Sequence, residues 1–171
     1  MTFERKNIAK MQGYQSGEQP DDALTIKLNT NENPYPASPK VSEVVRNLNS
    51  ENLRRYPPPT AESFRTVAAD LHKVNLDNII ATRGGDELLR LVITTFVDPG
   101  EIIAMSDPSY SLYPVLAQIQ NCPILKIPLQ EDWSLPSDFI SRVNKANSKL
   151  TFIVNPHAPT GRLLDKTTIR R

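Results

Sequence analysis

Hydrophobic residues recur along most of the chain at the spacing of amphipathic helices. The stretch 41–48 places valines and a leucine at i, i+3, i+4 and i+7, and the Ser38-Pro39 pair before it is typical of an N-cap followed by a first helical proline. The stretch 64–71 repeats this spacing after Thr60, which we expect to cap a second helix. Each apolar face should pack on a core. Helices are predicted over residues 39–48, 61–72, 86–96, 111–120, 137–147 and from 164 onward.

Short apolar runs separate the later helices. Residues 78–82, 102–105, 124–127 and 150–154 are predicted strands, and the last, LTFIV, is nearly continuous in its apolar character. Such a run is typical of a strand buried on both faces. Strands and helices therefore alternate, with at least four strands joined by crossovers. This order predicts an α/β fold, a mainly parallel sheet with helices on both faces.

A pair of glycines lies between the first predicted strand and its helix. Gly84 and Gly85 lead into Asp86 and Glu87, which open the helix. A helix start leaves backbone N–H groups without intrahelical partners, and the helix dipole adds positive potential there, so the turn suits an anion such as a phosphate. The turn matches neither G-x-G-x-x-G nor the P-loop pattern, which disfavours a dinucleotide or triphosphate site. The two acidic residues also fit the simpler interpretation that they complement the helix dipole.

Polar loops follow two other predicted strands. The segment Asp107-Pro108-Ser109-Tyr110 comes after residues 102–105, and NPHAPTG occupies residues 155–161 after the last strand. Open α/β sheets bind their ligands outside the carboxyl ends of the strands. These loops are therefore candidate site segments, although Tyr110 could equally be a core aromatic residue and Asn155 a loop cap.

Composition narrows the class of protein. The 171 residues carry a net charge of +1 without a basic run, so we expect no nucleic-acid partner and no membrane partner. Cys122 is the single cysteine, and His72 and His157 lie far apart, which leaves no metal-ligand spacing. The N-terminus lacks the apolar segment of a secretory signal peptide, and we expect a cytoplasmic location.

Five motifs in register resemble a known family. They are LNTNENPYP at 28–36, RYP at 55–57, RGGDEL at 83–88, PSY at 108–110 and NPHAPTG at 155–161. Together they resemble the fold-type I aminotransferases that use pyridoxal 5′-phosphate. Tyr14-Gln15-x-Gly17 and LNTNENPYP favour the histidinol-phosphate aminotransferase branch. The resemblance spans nearly the whole chain and corresponds to roughly the first half of such an enzyme.

The resemblance implies a set of site residues. Backbone amides at the helix start would hold the cofactor phosphate, Tyr110 would stack on the pyridine ring, and the loop at Asn155 would lie beside the ring hydroxyl. Tyr56 would reach the cofactor of the other subunit, which implies a homodimer, and Tyr14 and Asn33 would border the substrate. The implied cofactor-binding residues are Gly85, Asp86, Glu87, Tyr110, Asn155 and, from the partner subunit, Tyr56.

The same resemblance implies a domain division and an incomplete site. Residues 1–50 would be an N-terminal arm and first helix, belonging to the small domain or a dimer contact, and residues 51–171 the first part of a truncated cofactor-binding large domain. The family's Schiff-base lysine, its pyridine-pairing aspartate and its carboxylate-binding arginine would lie downstream, so we expect no catalytic residue within the chain and an inactive fragment. The chain also departs from the family pattern N-P-N-N-P-T-G, because Ala158 occupies the position of the last asparagine. Asn155 or His157 could substitute for it.

The implied function is amino transfer between glutamate and imidazole-acetol phosphate, in histidine biosynthesis. Its partners would be a small-molecule amino donor and a phosphorylated keto acceptor. Two alternatives stay open. One is a related aminotransferase for aromatic amino acids or a phosphothreonine decarboxylase-like enzyme, and the other is a non-catalytic remnant.

Overall fold

The computed structural model describes residues 3–14, 17–22 and 24–170. The chain divides into two units, one made of Met1–Tyr14 with Arg83–Arg171 and the other of Gln15–Thr82. The assignment of residues 1–50 and 51–171 to domains of a complete enzyme stays a prediction.

The unit Gln15–Thr82 is helical. It contains helix α1 (Pro39–Arg46) and helix α2 (Glu62–His72), with 3₁₀ turns at Ser50–Arg54 and Leu76–Asn78. The Ser38 hydroxyl accepts a hydrogen bond from the amide of Lys40, which confirms the predicted N-cap. Thr60 was predicted to cap α2, but the N-cap is Ala61 in a left-handed conformation, without a side-chain cap.

The apolar face of α1 is exposed, contrary to the expectation that it packs on a core. Val44 and Val45 retain 67% and 66% of their accessible surface, and α1 contains no buried residue. Helical spacing fixes which residues share a face, but another layer must cover that face. Within the described part of this unit, no such layer covers α1.

The predicted strand at 78–82 does not form. Residues Leu76–Asn78 make a 3₁₀ turn, Ile79 has extended backbone angles, and residues 79–82 form no β-strand. The carbonyls of Leu76 and Ile79 instead accept hydrogen bonds from the Arg65 guanidinium, at 2.9 and 2.7 Å. A side chain therefore satisfies backbone groups that a strand would use in a sheet.

The other unit contains a three-stranded parallel sheet in the order β2-β1-β3. Its strands are β1 (Ile103–Asp107), β2 (Ile124–Pro128) and β3 (Leu150–Phe152), and its helices are α3 (Gly85–Phe96), α4 (Leu112–Gln120), α5 (Phe139–Lys145) and α6 (Lys166–Ile169). This confirms the predicted parallel α/β architecture, with three strands among the described residues where at least four were predicted.

Helices pack on both faces of this sheet. On one face, Leu150 and Phe152 pack against a core cluster contributed by α3, β1 and α4. Thr151 and Ile153 alternate with them, and both line a cavity together with residues of α5 and α6. Successive side chains of a strand point to opposite faces, so these two groups belong to the two sides of the sheet.

The central strand is β1 rather than the strand with the most continuous apolar run. Ile103, Ala104 and Met105 are at most 2% exposed, whereas every residue of β3 is only half-buried. In the described sheet β3 pairs with β1 along one side alone. Its predicted burial on both faces is therefore incomplete here, because burial depends on position in the sheet as well as on side-chain type.

Candidate active site

The glycine turn forms as the sequence predicts. Gly84 is the N-cap of α3 with φ 87°, and Gly85 is the first helical residue. This φ is unfavourable for a residue with a Cβ, which explains glycine at position 84. A Cβ added at either glycine would meet no atom within 4 Å, so the start of α3 faces open space.

Glu87 closes the turn with its side chain. Its carboxylate accepts hydrogen bonds from the backbone N–H of Arg83 at 2.6 Å and from Arg83 Nη2 at 2.8 Å. The side-chain hydrogen bond from Arg83 holds the pKa of the Glu87 carboxyl below its usual value. The Glu87 side chain is thus engaged in the turn itself, and only its backbone amide remains a candidate for anion binding. The i, i+4 spacing of opposite charges was a sequence signal for this pair.

Tyr110 lies beside the helix start. Its hydroxyl donates to Asp86 Oδ1 at 3.2 Å. Its ring meets Tyr113 edge to face, with centroids 5.6 Å apart, and Tyr113 stacks on Phe152 at 4.2 Å. The structure therefore brings Gly85, Asp86 and Tyr110 together, as the sequence predicts, and adds an aromatic row that supports the Tyr110 ring.

The environment of Tyr110 disfavours its ionised form. Burial, the neighbouring charge of Asp86 and interactions with Tyr14 raise the pKa of Tyr110 to about 12. The side chain of Tyr14 lies near enough to contribute to this shift, so this predicted substrate contact also belongs to the cluster. Gln15, the next residue of the predicted Tyr14 motif, lies outside the described residues.

We expect Asp86→Asn to lower the pKa of Tyr110 below about 12 but not to the ordinary 10.0, because the charge is lost while the burial remains. In the unmodified chain, Tyr110 ionises near 10 when unfolded and near 12 when folded, so this residue should lower the free energy of unfolding as pH rises through that window. Ultraviolet titration, with Tyr110→Phe to assign the signal, measures the shift. Asp70→Asn is the control, since Asp70 pairs with Lys73 on α2; an equal shift in that variant would contradict the assignment.

The loop 155–161 uses its polar side chains internally. Asn155 bonds through both ends of its amide to the backbone of Leu164, at 2.9 and 3.3 Å. His157 is buried, with Nδ1 2.8 Å from the Thr160 hydroxyl and Nε2 3.0 Å from the Pro108 carbonyl. Both residues proposed to replace the family asparagine at Ala158 therefore have their polar atoms bonded within the protein. The role of Asn155 at a cofactor stays a prediction.

Tyr56 and Asn33 lie in the other unit, Gln15–Thr82. The Tyr56 side chain is fully exposed, and Asn33 Oδ1 accepts a hydrogen bond from the amide of Tyr35 at 3.0 Å. That contact is an Asx turn, the simpler alternative for this asparagine-rich loop. Their predicted contacts with a partner's cofactor and with substrate stay predictions.

Two cavities among the described residues lie elsewhere. One, of about 460 Å³, lies between the end of α4 and the start of β2, and the other, of about 380 Å³, lies beside β3, α5 and α6. The helix start at Gly84 and Tyr110 lines neither cavity. In the described residues, no group of three His, Cys, Asp or Glu could hold a metal, and none of the helices described is long and apolar enough to cross a membrane.

A sequence profile of the family "Aminotransferase class I and II" matches residues 24–171. The chain belongs to this family. The histidinol-phosphate aminotransferase of Geotalea uraniireducens is 45% identical over 158 residues, which are 92% of this chain and 44% of that protein. That of Geotalea daltonii is 43% identical over 166 residues, 96% of this chain and 47% of that protein. The chain thus spans about half the length of the curated relatives it matches.

Solved structures share the fold of this family member. A histidinol-phosphate aminotransferase from Sinorhizobium meliloti, solved with pyridoxal 5′-phosphate, superposes with a TM-score of 0.76 at 19% identity, over 82% of this chain and 38% of that one. Substrate-bound BacF from Bacillus subtilis superposes with a TM-score of 0.77 at 20% identity, over 98% of this chain and 48% of that one. At these identities the likeness establishes the fold alone.

Proposed function

We propose that the chain carries the amino-terminal part of a pyridoxal-phosphate-dependent histidinol-phosphate aminotransferase, which moves an amino group between glutamate and imidazole-acetol phosphate. The observation that carries this proposal is the helix start at Gly85 with the Tyr110 ring beside it. Family membership and relatives named histidinol-phosphate aminotransferase, at 45% and 43% identity, support the choice of reaction.

The residues present fit the phosphate of this cofactor. The start of α3 offers N–H groups of Gly85, Asp86 and Glu87, open space above the glycines and the positive end of a helix dipole. The Asp86 carboxylate would oppose a second anion there. Its hydrogen bond from the Tyr110 hydroxyl offsets part of this effect by engaging the charge.

The aromatic ring suits the flat part of the cofactor. Tyr110 is tethered at its hydroxyl by Asp86 and supported at its side by Tyr113, so its ring has a defined tilt. A fixed aromatic face favours stacking with a flat heterocycle. Pyridoxal phosphate, when bound, supplies an electron sink for amino transfer. The residues of this chain would bind its phosphate and orient its ring.

The remaining assignments are part of the proposal. Tyr14 would border the substrate, which its electrostatic interaction with Tyr110 supports, and Asn33 would do so from the loop 29–36. Tyr56, fully exposed in this chain, would contact the phosphate of the cofactor in the partner subunit of a homodimer. Residues 51–171 would belong to the large domain of the complete enzyme.

Assay of the complete protein tests the proposal. We expect pyridoxal phosphate to bind, and glutamate to support amino transfer to imidazole-acetol phosphate in preference to aromatic keto acids. Preference for an aromatic keto acid would favour the related aminotransferase, and release of carbon dioxide from phosphothreonine would favour the decarboxylase. A complete protein without cofactor binding or turnover would support the non-catalytic alternative.

A further inference from the structure

A buried histidine joins the two loops that follow β1 and β3. His157 is 5% exposed, and its imidazole lies against the Pro108 carbonyl and near the hydroxyl of Ser106, itself 2% exposed. Ser106 belongs to β1, and Pro108 follows that strand directly. The histidine thus connects the loop 155–161 with the end of the central strand.

The directions of these hydrogen bonds follow from the chemistry of the groups. A carbonyl can only accept, so His157 Nε2 carries the hydrogen and donates to Pro108. Nδ1 lies 2.8 Å from the Thr160 hydroxyl, whose oxygen accepts from the Arg162 amide at 3.3 Å. Both ring nitrogens therefore have a hydrogen-bonding partner within the two loops.

The backbone of the loop reinforces the position of the ring. The His157 amide donates to the Arg162 carbonyl at 2.7 Å, and the Gly161 amide donates to the His157 carbonyl at 2.6 Å. Position 157 is therefore held by its own loop, and the ring extends from it to Pro108. Two residues beyond Pro108 is Tyr110, the aromatic residue of the candidate site.

We propose that His157 is a positioning residue that fixes the turn 108–110, and through it the place of the Tyr110 ring. Its contact with Pro108 is a long-range side-chain hydrogen bond to this turn. Loss of it would leave the part-buried Pro108 carbonyl and Thr160 hydroxyl without these partners, which favours rearrangement of the loops. We call this link between His157 and the turn 108–110 the tie. The tie is argued from geometry alone, whereas its consequence for cofactor binding rests on the proposed function.

Variants at position 157 test the tie without any cofactor. His157→Leu removes both hydrogen bonds, His157→Gln retains an amide donor for the Pro108 carbonyl, and Thr160→Val removes only the partner of Nδ1. His72→Leu and His72→Gln are matched controls, because His72 is exposed in the last turn of α2. Circular dichroism at the working pH establishes that each variant is folded.

The readout is the ionised fraction of Tyr110 at pH 11, measured by NMR of ring-labelled tyrosine and assigned with Tyr110→Phe. With a pKa of about 12, about a tenth of the unmodified protein should be ionised. In His157→Leu we expect about half or more, because Tyr110 leaves its partly buried position beside Asp86. His157→Gln should stay close to the unmodified value, Thr160→Val should fall between them, and the His72 variants should not change it.

A folded His157→Leu variant with unaltered Tyr110 ionisation would overturn the proposal. If that variant unfolds, Thr160→Val decides the question instead. A folded Thr160→Val variant with unaltered Tyr110 ionisation would assign His157 a purely structural role and would overturn the proposal equally. Pyridoxal phosphate binding by the complete protein is measured separately. If the unmodified protein does not bind pyridoxal phosphate, the proposed function is wrong. The tie is then still tested by the ionised fraction of Tyr110.

Discussion

Ile103→Ala is expected to lower the free energy of unfolding by about 2–5 kcal/mol, the range for deleting a buried isoleucine side chain in a packed core. Ile103 is fully buried in β1, where it pairs with Ile124 on one side and Leu150 on the other. It belongs to the cluster that joins α3, β1 and α4. A cavity at this position would have rigid walls on several sides. Urea unfolding followed by circular dichroism measures the loss.

Ile26→Ala is the matched control for this experiment. Ile26 is 82% exposed, so the same chemical change should alter the free energy of unfolding by no more than about 0.5 kcal/mol. Equal losses at the two positions would contradict the assignment of β1 as the centre of the sheet. An unchanged slope of unfolding free energy against urea concentration would show that the change lies in stability alone.

Tyr110→Ala in the complete protein is expected to weaken pyridoxal phosphate binding about two- to tenfold. An aromatic contact contributes roughly 0.5–1.5 kcal/mol beyond its buried area, and about 1.4 kcal/mol corresponds to a tenfold change in affinity. The structure supports this because the ring is only partly buried and lies beside the start of α3. Equilibrium binding followed by cofactor absorbance measures the dissociation constant.

Tyr110→Phe separates the ring from its hydroxyl. It keeps the aromatic face and removes the hydrogen bond to Asp86, so it should bind the cofactor more tightly than Tyr110→Ala does. If Tyr110 were instead an essential core residue, Tyr110→Ala should cost about 3–5 kcal/mol of stability. A large fall in the melting temperature of the apoprotein, with unchanged cofactor affinity in the folded fraction, would remove Tyr110 from the site.

The apolar pattern predicted most elements of the unit that carries the site. Residues 102–105 and 124–127 became β1 and β2 with small shifts, and the helices α3 and α4 begin within a residue of their predicted starts. These segments combine strong periodicity with clear breaks at Pro99-Gly100 and Pro123. The run 78–82 has similar apolar character but forms no strand, and the Arg65 guanidinium binds the Ile79 carbonyl. Periodicity predicts a local preference, whereas pairing requires a neighbour in space.

The candidate site likewise has features that the sequence predicts and features that it does not. Glycines before a helix and a Ser-Tyr pair after a strand predict an anion site and a nearby aromatic residue, and the structure brings Gly85 and Tyr110 to one place through Asp86. The loop-cap interpretation of Asn155 agrees with its bonds to the Leu164 backbone, but the sequence does not identify that partner. The bonds of His157 to Thr160 and Pro108 have no comparable sequence signal. Such contacts depend on which loops meet at the carboxyl edge of the sheet.

The sequence by itself determined the α/β class, the parallel crossovers, the glycine-started helix and the family, because these follow from local spacing and from motifs in fixed order. Only the tertiary structure decided that β1 is the central strand and that β3 is half-buried, because burial depends on what packs against each face. It also decided that Asp86 accepts from Tyr110, and that His157 is buried between two loops. Hydrogen bonds between residues 24 and 49 positions apart arise from chain topology, which no local pattern contains.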